Sequence, residues 1–439
     1  MTAWQRLQRL PRAEQRAAQD ALLQRYVREY LYPFSPYYRA LFDANGVRPE
    51  HIKTVDDLRR LPLSTKQDLL PTQKWTQGTE AVRRRIRDEF APSFMTFTTG
   101  RSAEPVPFFY SPHDIRNLHD TGSRLVDVMG RDPDYKIANV FPYAPHLAFW
   151  QVFFAGQETG MMALSTGGGK VMGSSGDLRA ITRLRAEALI GVPGYVYHLL
   201  RRAVAEGLDL SSIRCVVLGA ERVPPGLKAK IVEMLQATGA KDVSVFGTYG
   251  FTEARMAFAE CPTKDNAYTG YHLYPDLAIF EVINPETGEV VPDGEDGELV
   301  FTPLKARAST VFRYRTGDRV RGGLQYDPCP HCGRTVPRIS SNLTRESSLK
   351  DLQLLKVKGT LVNLEDAAML LGAMPEVEEW QIELRKKDDD PHEVDEMVVH
   401  LSVKQGCSEE AATKSVQELF KSRLEISPNQ VEFLGLDSM

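Results

Sequence analysis

The chain has 439 residues, and its 54 Lys and Arg against 58 Asp and Glu give a net charge of -4. With 42% hydrophobic residues it can bury a large core, and roughly 100 to 200 residues per domain suggests two to four domains. The charge balance excludes a basic nucleic-acid-binding protein held by phosphate neutralisation. No apolar run reaches the roughly 18 to 20 residues of a membrane span, and the Gln- and Arg-rich start lacks the apolar stretch of a signal peptide. We therefore expect a cytoplasmic protein with no nucleic-acid or membrane partner.

The first thirty residues carry apolar side chains at helical spacing, which predicts amphipathic helices. The middle of the chain alternates short apolar runs with helical stretches, which predicts βαβ units with buried, mostly parallel strands. After Gly270, hairpin-like segments replace this alternation. The predicted parallel strands are Ile137–Phe141, Ala188–Val192, Ile213–Leu218 and Val243–Phe246, and the predicted hairpin strands are Leu277–Asn284 and Gly297–Thr302.

A smaller α+β region follows from about residue 346. Its predicted strands are Glu379–Leu384, Met397–Val403 and Val431–Leu434, and its predicted helix begins with Ser408 as N-cap and ends at about Leu424. The predicted fold class is α/β, with a large N-terminal domain of mostly parallel sheets flanked by helices plus a β-hairpin region at residues 1–345. Residues 346–439 are the small C-terminal domain.

Residues Phe94–Pro105 form a hydroxyl- and glycine-containing loop after an apolar stretch. Such a loop can turn backbone N–H groups and Ser or Thr hydroxyls onto phosphate oxygens. Polar turns rich in Thr and Gly are also common without a ligand, so the loop alone leaves both interpretations open.

Two later segments could also carry chemistry. Val245–Glu253 is a buried strand that leads into a turn with an aromatic, a hydroxyl and a carboxylate side chain. Ligands of open α/β sheets lie beyond the carboxyl ends of the strands, so a nucleotide could meet a metal-binding acid here. The alternative is a strand-to-helix turn in which Thr252 and Glu253 open the helix. The segment Phe312–Asp318 is a dense cluster of basic and acidic residues that by itself could be a surface salt-bridge network.

Taken together and in order, these segments resemble the motifs of the adenylate-forming acyl-CoA synthetase (AMP-binding) superfamily, and within it the phenylacetate-CoA ligase branch. The resemblance extends from about residue 30 to about residue 385. The superfamily motifs are Thr98–Pro105, Gly219–Glu221, Tyr249–Glu253 and Arg313–Asp318, and the segments that look like the branch are Ser35–Tyr38, Leu61–Lys66, Pro285–Gly288, Asp293–Glu298 and Cys332–Ile339.

The resemblance implies a two-step reaction. A carboxylate attacks the α-phosphate of ATP to give an acyl-adenylate and pyrophosphate, and the thiol of coenzyme A then displaces AMP. The positions that match the nucleotide motifs are Thr98, Thr99, Gly100, Arg101 and Ser102 for the triphosphate, and Gly219, Ala220, Glu221, Tyr249 and Gly250 for the adenine slot.

The resemblance assigns the remaining catalytic positions as well. Thr252 would donate to the α-phosphate, Glu253 would hold Mg²⁺, and Asp318 would accept the ribose hydroxyls. Arg345 stands where the family carries an Arg at the domain junction. Family members rotate the C-terminal domain between the half-reactions, so residues 346–439 are expected to form a mobile lid.

The cysteines fit a metal site. Cys329 and Cys332 form a C-x₂-C knuckle, and Cys261 and His272 lie in a connected segment before it. Together they supply the four ligands of a tetrahedral zinc ion, and some relatives carry this set as a structural zinc site. Two alternatives stay open: a lone C-x₂-C is often two buried thiols, and His331 competes with His272. We expect Cys215 in the core and Cys407 at the surface.

The sequence departs from the family pattern in three places. In the phosphate loop, Ala103 and Glu104 replace a Gly and a Lys, and Arg101 replaces a small hydroxyl residue. At the domain junction, Ser347 and Ser348 replace paired aspartates. The family's C-terminal Gly-Lys segment, whose lysine reaches the α-phosphate, has no counterpart in the last residues. Either the chain is shortened or another cation substitutes, and its loss would slow adenylation more than the thiol step.

The stretch Phe141–Trp150 corresponds to the family's acid pocket. Its aromatic residues, including Phe141 and Tyr143, suit an aryl or arylacetic acid, although aromatic runs are also ordinary core. His146 could touch a polar ring substituent. Three functions stay open: a CoA ligase, an adenylating enzyme with a non-CoA acceptor such as an amine or carrier protein, and a non-catalytic nucleotide-binding relative. From the resemblance we also expect a homodimer.

Overall fold

A computed structural model describes most of the chain. The described residues are 2–66, 68, 87–98, 106–130, 134–143, 146–169, 171–345, 356–357, 360–361, 364–386, 395–424 and 427–436. Clustering of backbone contacts divides the chain into two compact units. The first unit is Met1–Val223 with Ile231–Leu343, and the second is Pro224–Lys230 with Thr344–Met439. The division thus falls two residues before the predicted boundary and assigns one short earlier segment to the second unit.

A six-stranded sheet lies at the centre of the first unit. Five neighbouring strands run parallel, and the sixth, Met256–Ala259, pairs antiparallel with Ser244–Phe251. Every residue of Ala188–Gly191 and Cys215–Leu218 is buried, as expected where helices cover both faces of a parallel sheet. The order across the sheet is Ala163–Ser165, Ile137–Asn139, Ala188–Gly191, Cys215–Leu218, Ser244–Phe251 and Met256–Ala259. The predicted parallel strands are confirmed.

Two packed helices, Pro112–Met129 and Leu147–Thr159, belong to this unit. The first begins at Ser111, whose hydroxyl accepts from the backbone N–H of Asp114, and it ends before Gly130 in the left-handed conformation. Gly122 allows the helices to approach closely, because a Cβ at this position would lie 2.6 Å from Cα of Ala155. The close packing of these two helices therefore requires glycine at position 122.

An antiparallel region follows the central sheet. The hairpin strands Ala278–Ile283 and Gly297–Pro303 pair with each other, and Gly297–Pro303 also pairs with Tyr314–Val320. The last strand alternates buried and half-buried residues. Because alternate residues of a strand share one face, the side chains of Tyr314 and Asp318 lie on the same buried face. The predicted hairpin is confirmed.

The second unit contains the predicted α+β elements. Val377–Lys386 pairs antiparallel with Asp395–Val403, which pairs in parallel with Gln430–Phe433. The helix Glu409–Leu424 begins after Ser408, whose hydroxyl accepts from the backbone N–H of Ala411, as predicted for an N-cap. The core of this unit is formed by Ala367, Leu371, Met374, Val377, Met397, Val399, Leu401, Ala412, Val416 and Phe420.

The remaining helices are mostly short, and the first of them confirm the predicted N-terminal helices. The other α-helices are Ala3–Leu7, Arg12–Tyr26, Tyr32–Phe34, Pro36–Ala44, Arg87–Phe90, Gly173–Leu184, Pro193–Ala205, Pro225–Ala237 and Leu364–Gly372, with a π-helical turn at Val27–Leu31 and 3₁₀ turns at Pro49–His51 and Val55–Arg60. The other strands are Phe94–Phe97, Pro107–Tyr110, Tyr271–His272, Leu324–Gln325, Arg338–Ile339, Leu343–Arg345, Lys356–Val357 and Thr360–Leu361. In the described part of the chain, no helix combines the length and apolarity needed to cross a membrane.

Candidate active site and Cys/His cluster

Two neighbouring parallel strands end at the same edge of the central sheet. Cys215–Leu218 leads into Gly219–Glu221, and the adjacent Ser244–Phe251 carries Tyr249 and Gly250 near its end. Gly219 is packed so tightly that a Cβ would lie 2.5 Å from Oγ1 of Thr248 and 3.5 Å from Cζ of Phe141. The next residue, Ala220, has a φ of 69°, a conformation that an alanine rarely adopts. Gly219, in the predicted adenine slot, therefore has no room for a side chain.

A strand-to-helix turn, the alternative interpretation of Thr252 and Glu253, is wrong. The strand Ser244–Phe251 turns sharply and returns as the antiparallel strand Met256–Ala259. Arg255 in this turn has a φ of 56°. Thr252 and Glu253 thus occupy a tight hairpin turn, and both side chains are buried.

Two tyrosine hydroxyls hold the two predicted carboxylates. Tyr249 donates to Oδ2 of Asp318 at 2.7 Å, and Tyr314 donates to Oε1 of Glu253 at 2.8 Å. Asp318 is 8% exposed and Glu253 is 5% exposed. Tyr249 is half-buried, and its ring lies 5.8 Å from that of Tyr271 between centroids. The predicted residues Tyr249, Glu253 and Asp318 therefore lie in two hydrogen-bonded pairs, each of which joins the segment 249–253 to the segment 314–318.

The carbonyl of Phe97 brings two further predicted residues together at the start of the phosphate loop. It accepts from the hydroxyl of Thr252 at 3.4 Å and from Nδ1 of His146 at 3.3 Å. The next residue, Thr98, accepts from the backbone N–H of Val106 through its Oγ1 at 2.9 Å and so closes the base of the loop. Thr99, Gly100, Arg101 and Ser102 lie outside the described residues.

The other predicted site residues vary in exposure. Phe141 is buried and borders the slot at Gly219, whereas Tyr143 is 67% exposed and packs edge-on against Phe149. Ala220 and Glu221 are exposed. Arg345 ends the strand Leu343–Arg345, whose first residue belongs to the first unit and whose other two belong to the second. Its side chain is not among those described.

Cys261, His272, Cys329 and Cys332 form a second site in the first unit, and their ligand atoms all lie within 4.8 Å of one another. Cys261 Sγ is 3.7 Å from Cys329 Sγ, and Cys332 Sγ is 3.3 Å from Nε2 of His272. Nδ1 of His272 donates to the carbonyl of Ala259 at 3.4 Å, so Nε2 is the ring nitrogen that faces the cysteines.

The hydrogen bonds of this Cys/His cluster favour the thiolate form of Cys329 and Cys332, whereas those to Cys329 and Cys332 raise the pKa of Cys261. The thiol of Cys261 donates to Cys329 and lowers the pKa of that thiol. Hydrogen bonding from Cys261, together with His272, also lowers the pKa of Cys332. Thiolates are the metal-binding form of cysteine, and none of the five cysteines is in a disulfide. His331, the competing ligand, is exposed and lies outside the cluster, while Cys215 is buried and Cys407 exposed as predicted.

The sequence interpretation missed Tyr314 and Glu260. Tyr314 was part of a recognised motif but received no role. Its position four residues before Asp318 repeats the spacing of Tyr249 and Glu253, and this was the signal that could have identified it. Glu260 accepts the backbone N–H of Gly247 at 2.6 Å and the hydroxyl of Ser341 at 3.1 Å. No motif marks Glu260, because its role depends on the pairing of distant segments.

Comparison with solved structures bears on the fold. A crystal structure of 2-hydroxyisobutyryl-CoA ligase in the postadenylation state, in complex with 2-HIB-AMP, covers 99% of this chain and 89% of that chain, with a TM-score of 0.80 and 22% sequence identity. At this identity the likeness establishes the fold, which is that of an adenylate-forming enzyme.

The family profile described as AMP-binding enzyme matches residues 42–303, more than half of the chain, and the protein belongs to this family. The chain is 29% identical to phenylacetate-coenzyme A ligase of Thermus thermophilus over 384 residues, 87% of this chain and 80% of that protein. It is 27% identical to phenylacetate-coenzyme A ligase of Escherichia coli K12 over 298 residues, 67% of this chain and 64% of that protein. The aligned region thus spans less than two thirds of the E. coli relative. The predicted superfamily is confirmed.

Proposed function

We propose that the protein is an AMP-forming acyl-CoA ligase. It activates a carboxylic acid with ATP as an acyl-adenylate, releases pyrophosphate, and transfers the acyl group to coenzyme A. The observation that carries the proposal is the pair of hydrogen bonds, from Tyr249 to Asp318 and from Tyr314 to Glu253, that joins two of the predicted nucleotide motifs. Membership of the AMP-binding enzyme family and the named CoA ligases among its relatives support the same reaction.

The proposed slot at Gly219 binds the adenosine part of ATP. Adenine lies beside Gly219, Ala220 and Glu221 and against the ring of Tyr249, with Gly250 leaving the rim open. Asp318 accepts the ribose hydroxyls, for which a buried carboxylate is a strong acceptor. The hydrogen bond from Tyr249 to Asp318 is then exchanged for bonds from the ribose.

The phosphates lie near the turn that carries Thr252 and Glu253. The loop Thr98–Ser102 binds the triphosphate with N–H and hydroxyl donors, and Thr252 turns its hydroxyl from the Phe97 carbonyl to the α-phosphate. Mg²⁺, when bound, neutralises phosphate charge as the new bond forms. Glu253 fits this ion, because a carboxylate oxygen is a ligand that Mg²⁺ prefers and Oε2 makes no hydrogen bond with the described residues.

An aromatic or arylacetic acid is the proposed substrate. Phe141 borders the slot, and His146 reaches the same Phe97 carbonyl as Thr252, so both lie next to the position of the α-phosphate. Tyr143 extends the aromatic surface outward. Two relatives are named phenylacetate-coenzyme A ligase, which supports a flat aromatic ring in this pocket.

We further propose that the Cys/His cluster holds a structural zinc ion. Three thiol sulfurs and one imidazole nitrogen within 4.8 Å are a suitable donor set for tetrahedral Zn²⁺. The hydrogen bond from His272 to the Ala259 carbonyl is the outer contact expected of a metal-binding histidine. With four protein ligands the site has no open position, which makes its role structural.

The domain roles follow the family. Residues 1–345 bind the nucleotide and the acid, and residues 346–439 move between the two half-reactions as a lid. Arg345 acts on the nucleotide from the junction. These assignments predict that proteolytic or spectroscopic probes in the small domain respond to acyl-adenylate formation.

The test is acid-dependent pyrophosphate release with ATP and Mg²⁺, using aryl, arylacetic and aliphatic acids, each with and without coenzyme A. Release that rises with an aromatic acid and again with coenzyme A supports the proposal. Pyrophosphate release that is the same with and without coenzyme A indicates a different acceptor. No release with any acid of the panel, together with no binding of ATP, would contradict the proposed function.

A further inference from the structure

Two tyrosine-to-carboxylate hydrogen bonds connect the segments 249–253 and 314–318. Each segment contributes one tyrosine and, four residues later, one carboxylate, and each tyrosine donates to the carboxylate of the other segment. The two bonds are therefore reciprocal. They differ in burial, because Tyr314 is 3% exposed whereas Tyr249 is half-buried.

The surroundings of Tyr314 hold its position. The backbone on both sides is joined to Ser64, which donates to the Arg313 carbonyl at 2.9 Å and accepts from the Arg315 N–H at 2.8 Å. The side chain of Arg313 donates to both carboxylate oxygens of Glu281, at 3.0 and 3.1 Å, in a buried ion pair. A tyrosine between such anchors presents its hydroxyl at a fixed point.

The two bonds have different fates in the proposed reaction. Asp318 must exchange its bond from Tyr249 for the ribose hydroxyls, so this bond is temporary. Nothing in the proposed cycle requires the bond from Tyr314 to Glu253 to break. It occupies Oε1 and leaves Oε2 directed to other partners.

We infer that Tyr314 is a positioning residue for Glu253, which holds one carboxylate oxygen so that the other binds Mg²⁺ in a single orientation. The inference rests on the proposed function, because it assigns Mg²⁺ to Glu253. Outer contacts of this kind fix ligand orientation, and their loss typically lowers metal affinity about 10- to 100-fold. Tyr314 itself contacts neither the metal nor the nucleotide.

The test measures binding of α,β-methylene-ATP by calorimetry over a series of Mg²⁺ concentrations. In Tyr314→Phe, the Mg²⁺ concentration that gives half-maximal nucleotide binding should rise about 10-fold or more. High Mg²⁺ should restore binding, since only metal affinity is impaired. Tyr26→Phe is the matched control, because it removes a buried tyrosine hydroxyl that is bonded to Thr310 and not to Glu253, in a different hydrophobic cluster from Tyr314, and its Mg²⁺ requirement should equal that of the wild type.

A double-mutant cycle separates positioning from general destabilisation. If Tyr314 acts through Glu253, Tyr314→Phe should add nothing in a Glu253→Gln background. An unchanged Mg²⁺ requirement in Tyr314→Phe, or an equal effect with and without Glu253, would overturn the inference. Failure of the wild type to bind nucleotide in any Mg²⁺ concentration would instead contradict the proposed function. Thermal unfolding of each variant shows that the folded protein is being compared.

Discussion

The proposed nucleotide site and the Cys/His cluster are both assembled from distant segments, but they are held in different ways. The carboxylates of Glu253 and Asp318 each accept a hydrogen bond from a tyrosine hydroxyl, and in the proposed reaction the bond to Asp318 opens for the ribose. The cluster is fixed by the backbone: Cys329 donates to the Arg334 carbonyl and accepts from the Gly333 N–H, each at 2.8 Å. Side chains that exchange hydrogen-bond partners are suited to a reaction site. A backbone turn closed by hydrogen bonds is suited to a site that stabilises the fold.

The two sites are nevertheless neighbours in sequence. Cys261 follows Glu260, which holds the backbone of Gly247, and His272 follows Tyr271, which lies beside Tyr249. The two sites are therefore expected to differ in whether a substitution changes the reaction or the stability, and each prediction below changes one site and measures one or both of these.

The largest effect is expected for Glu253→Gln. Loss of the carboxylate charge removes the ligand proposed for Mg²⁺, and removal of one such electrostatic contact typically costs roughly 10²- to 10³-fold in rate. Pyrophosphate release at saturating ATP should fall by this factor while the thermal unfolding midpoint changes little. Glu89→Gln, which alters a half-exposed partner of Arg307, is the control. A fully active Glu253→Gln enzyme would show that Glu253 does not have the role in the reaction that is proposed for it.

Cys332→Ser should act on stability instead. It deletes one of the four ligands proposed for zinc. If the proposal is correct, bound zinc should be about one per chain in the wild type and nearly none in the variant, and the free energy of unfolding should fall, because metal binding is coupled to folding. Below the unfolding transition, the KM for ATP should stay nearly unchanged. Metal analysis, thermal unfolding and kinetics provide the three measurements.

Cys407→Ser is the matched control for the cluster, since Cys407 is exposed and should leave all three quantities unaltered. A Cys332→Ser protein that stays fully folded but loses affinity for ATP would contradict the separation of a stabilising cluster from a reactive site. Glu260 and Tyr271 would then be the residues through which the cluster affects the nucleotide slot.

Gly219→Ala tests the slot itself. The new Cβ would lie 2.5 Å from Oγ1 of Thr248, closer than real Cβ atoms approach, so the surrounding residues must shift. If Gly219 borders the adenine as proposed, the KM for ATP should rise about 10-fold, which is about 1.4 kcal/mol of binding free energy. Thr248→Ala should partly reverse the effect in the double variant. Gly194→Ala is the control, because a Cβ there meets no atom within 4 Å. Equal KM values for both alanine variants would rule out a tight slot.

The parts that the sequence could predict are those in which local pattern and burial agree. Ala188–Gly191 and Cys215–Leu218 are continuous apolar runs, and only a strand buried on both faces explains them. The hairpin turn at Thr252 could not be separated from a helix start, because the choice depends on pairing with Met256–Ala259. The hydrogen bond from Tyr314 to Glu253 joins residues 61 positions apart, and no local sequence pattern predicts a contact between residues so far apart in the chain.

The smallest effect is expected for Tyr249→Phe. The variant loses the hydrogen bond to Asp318 but keeps the aromatic ring proposed to contact adenine. A hydrogen bond to a charged group contributes about 1.5–3 kcal/mol, but the bond must open for ribose in any case, so its loss from the free enzyme offsets its loss from the complex. The KM for ATP should therefore change little or fall slightly, whereas Tyr249→Ala should raise it. The two variants are measured side by side. An equal rise in the KM for ATP in both would show that the hydroxyl, and not the ring, binds the nucleotide. The proposed exchange of hydrogen-bond partners at Asp318 would then be wrong.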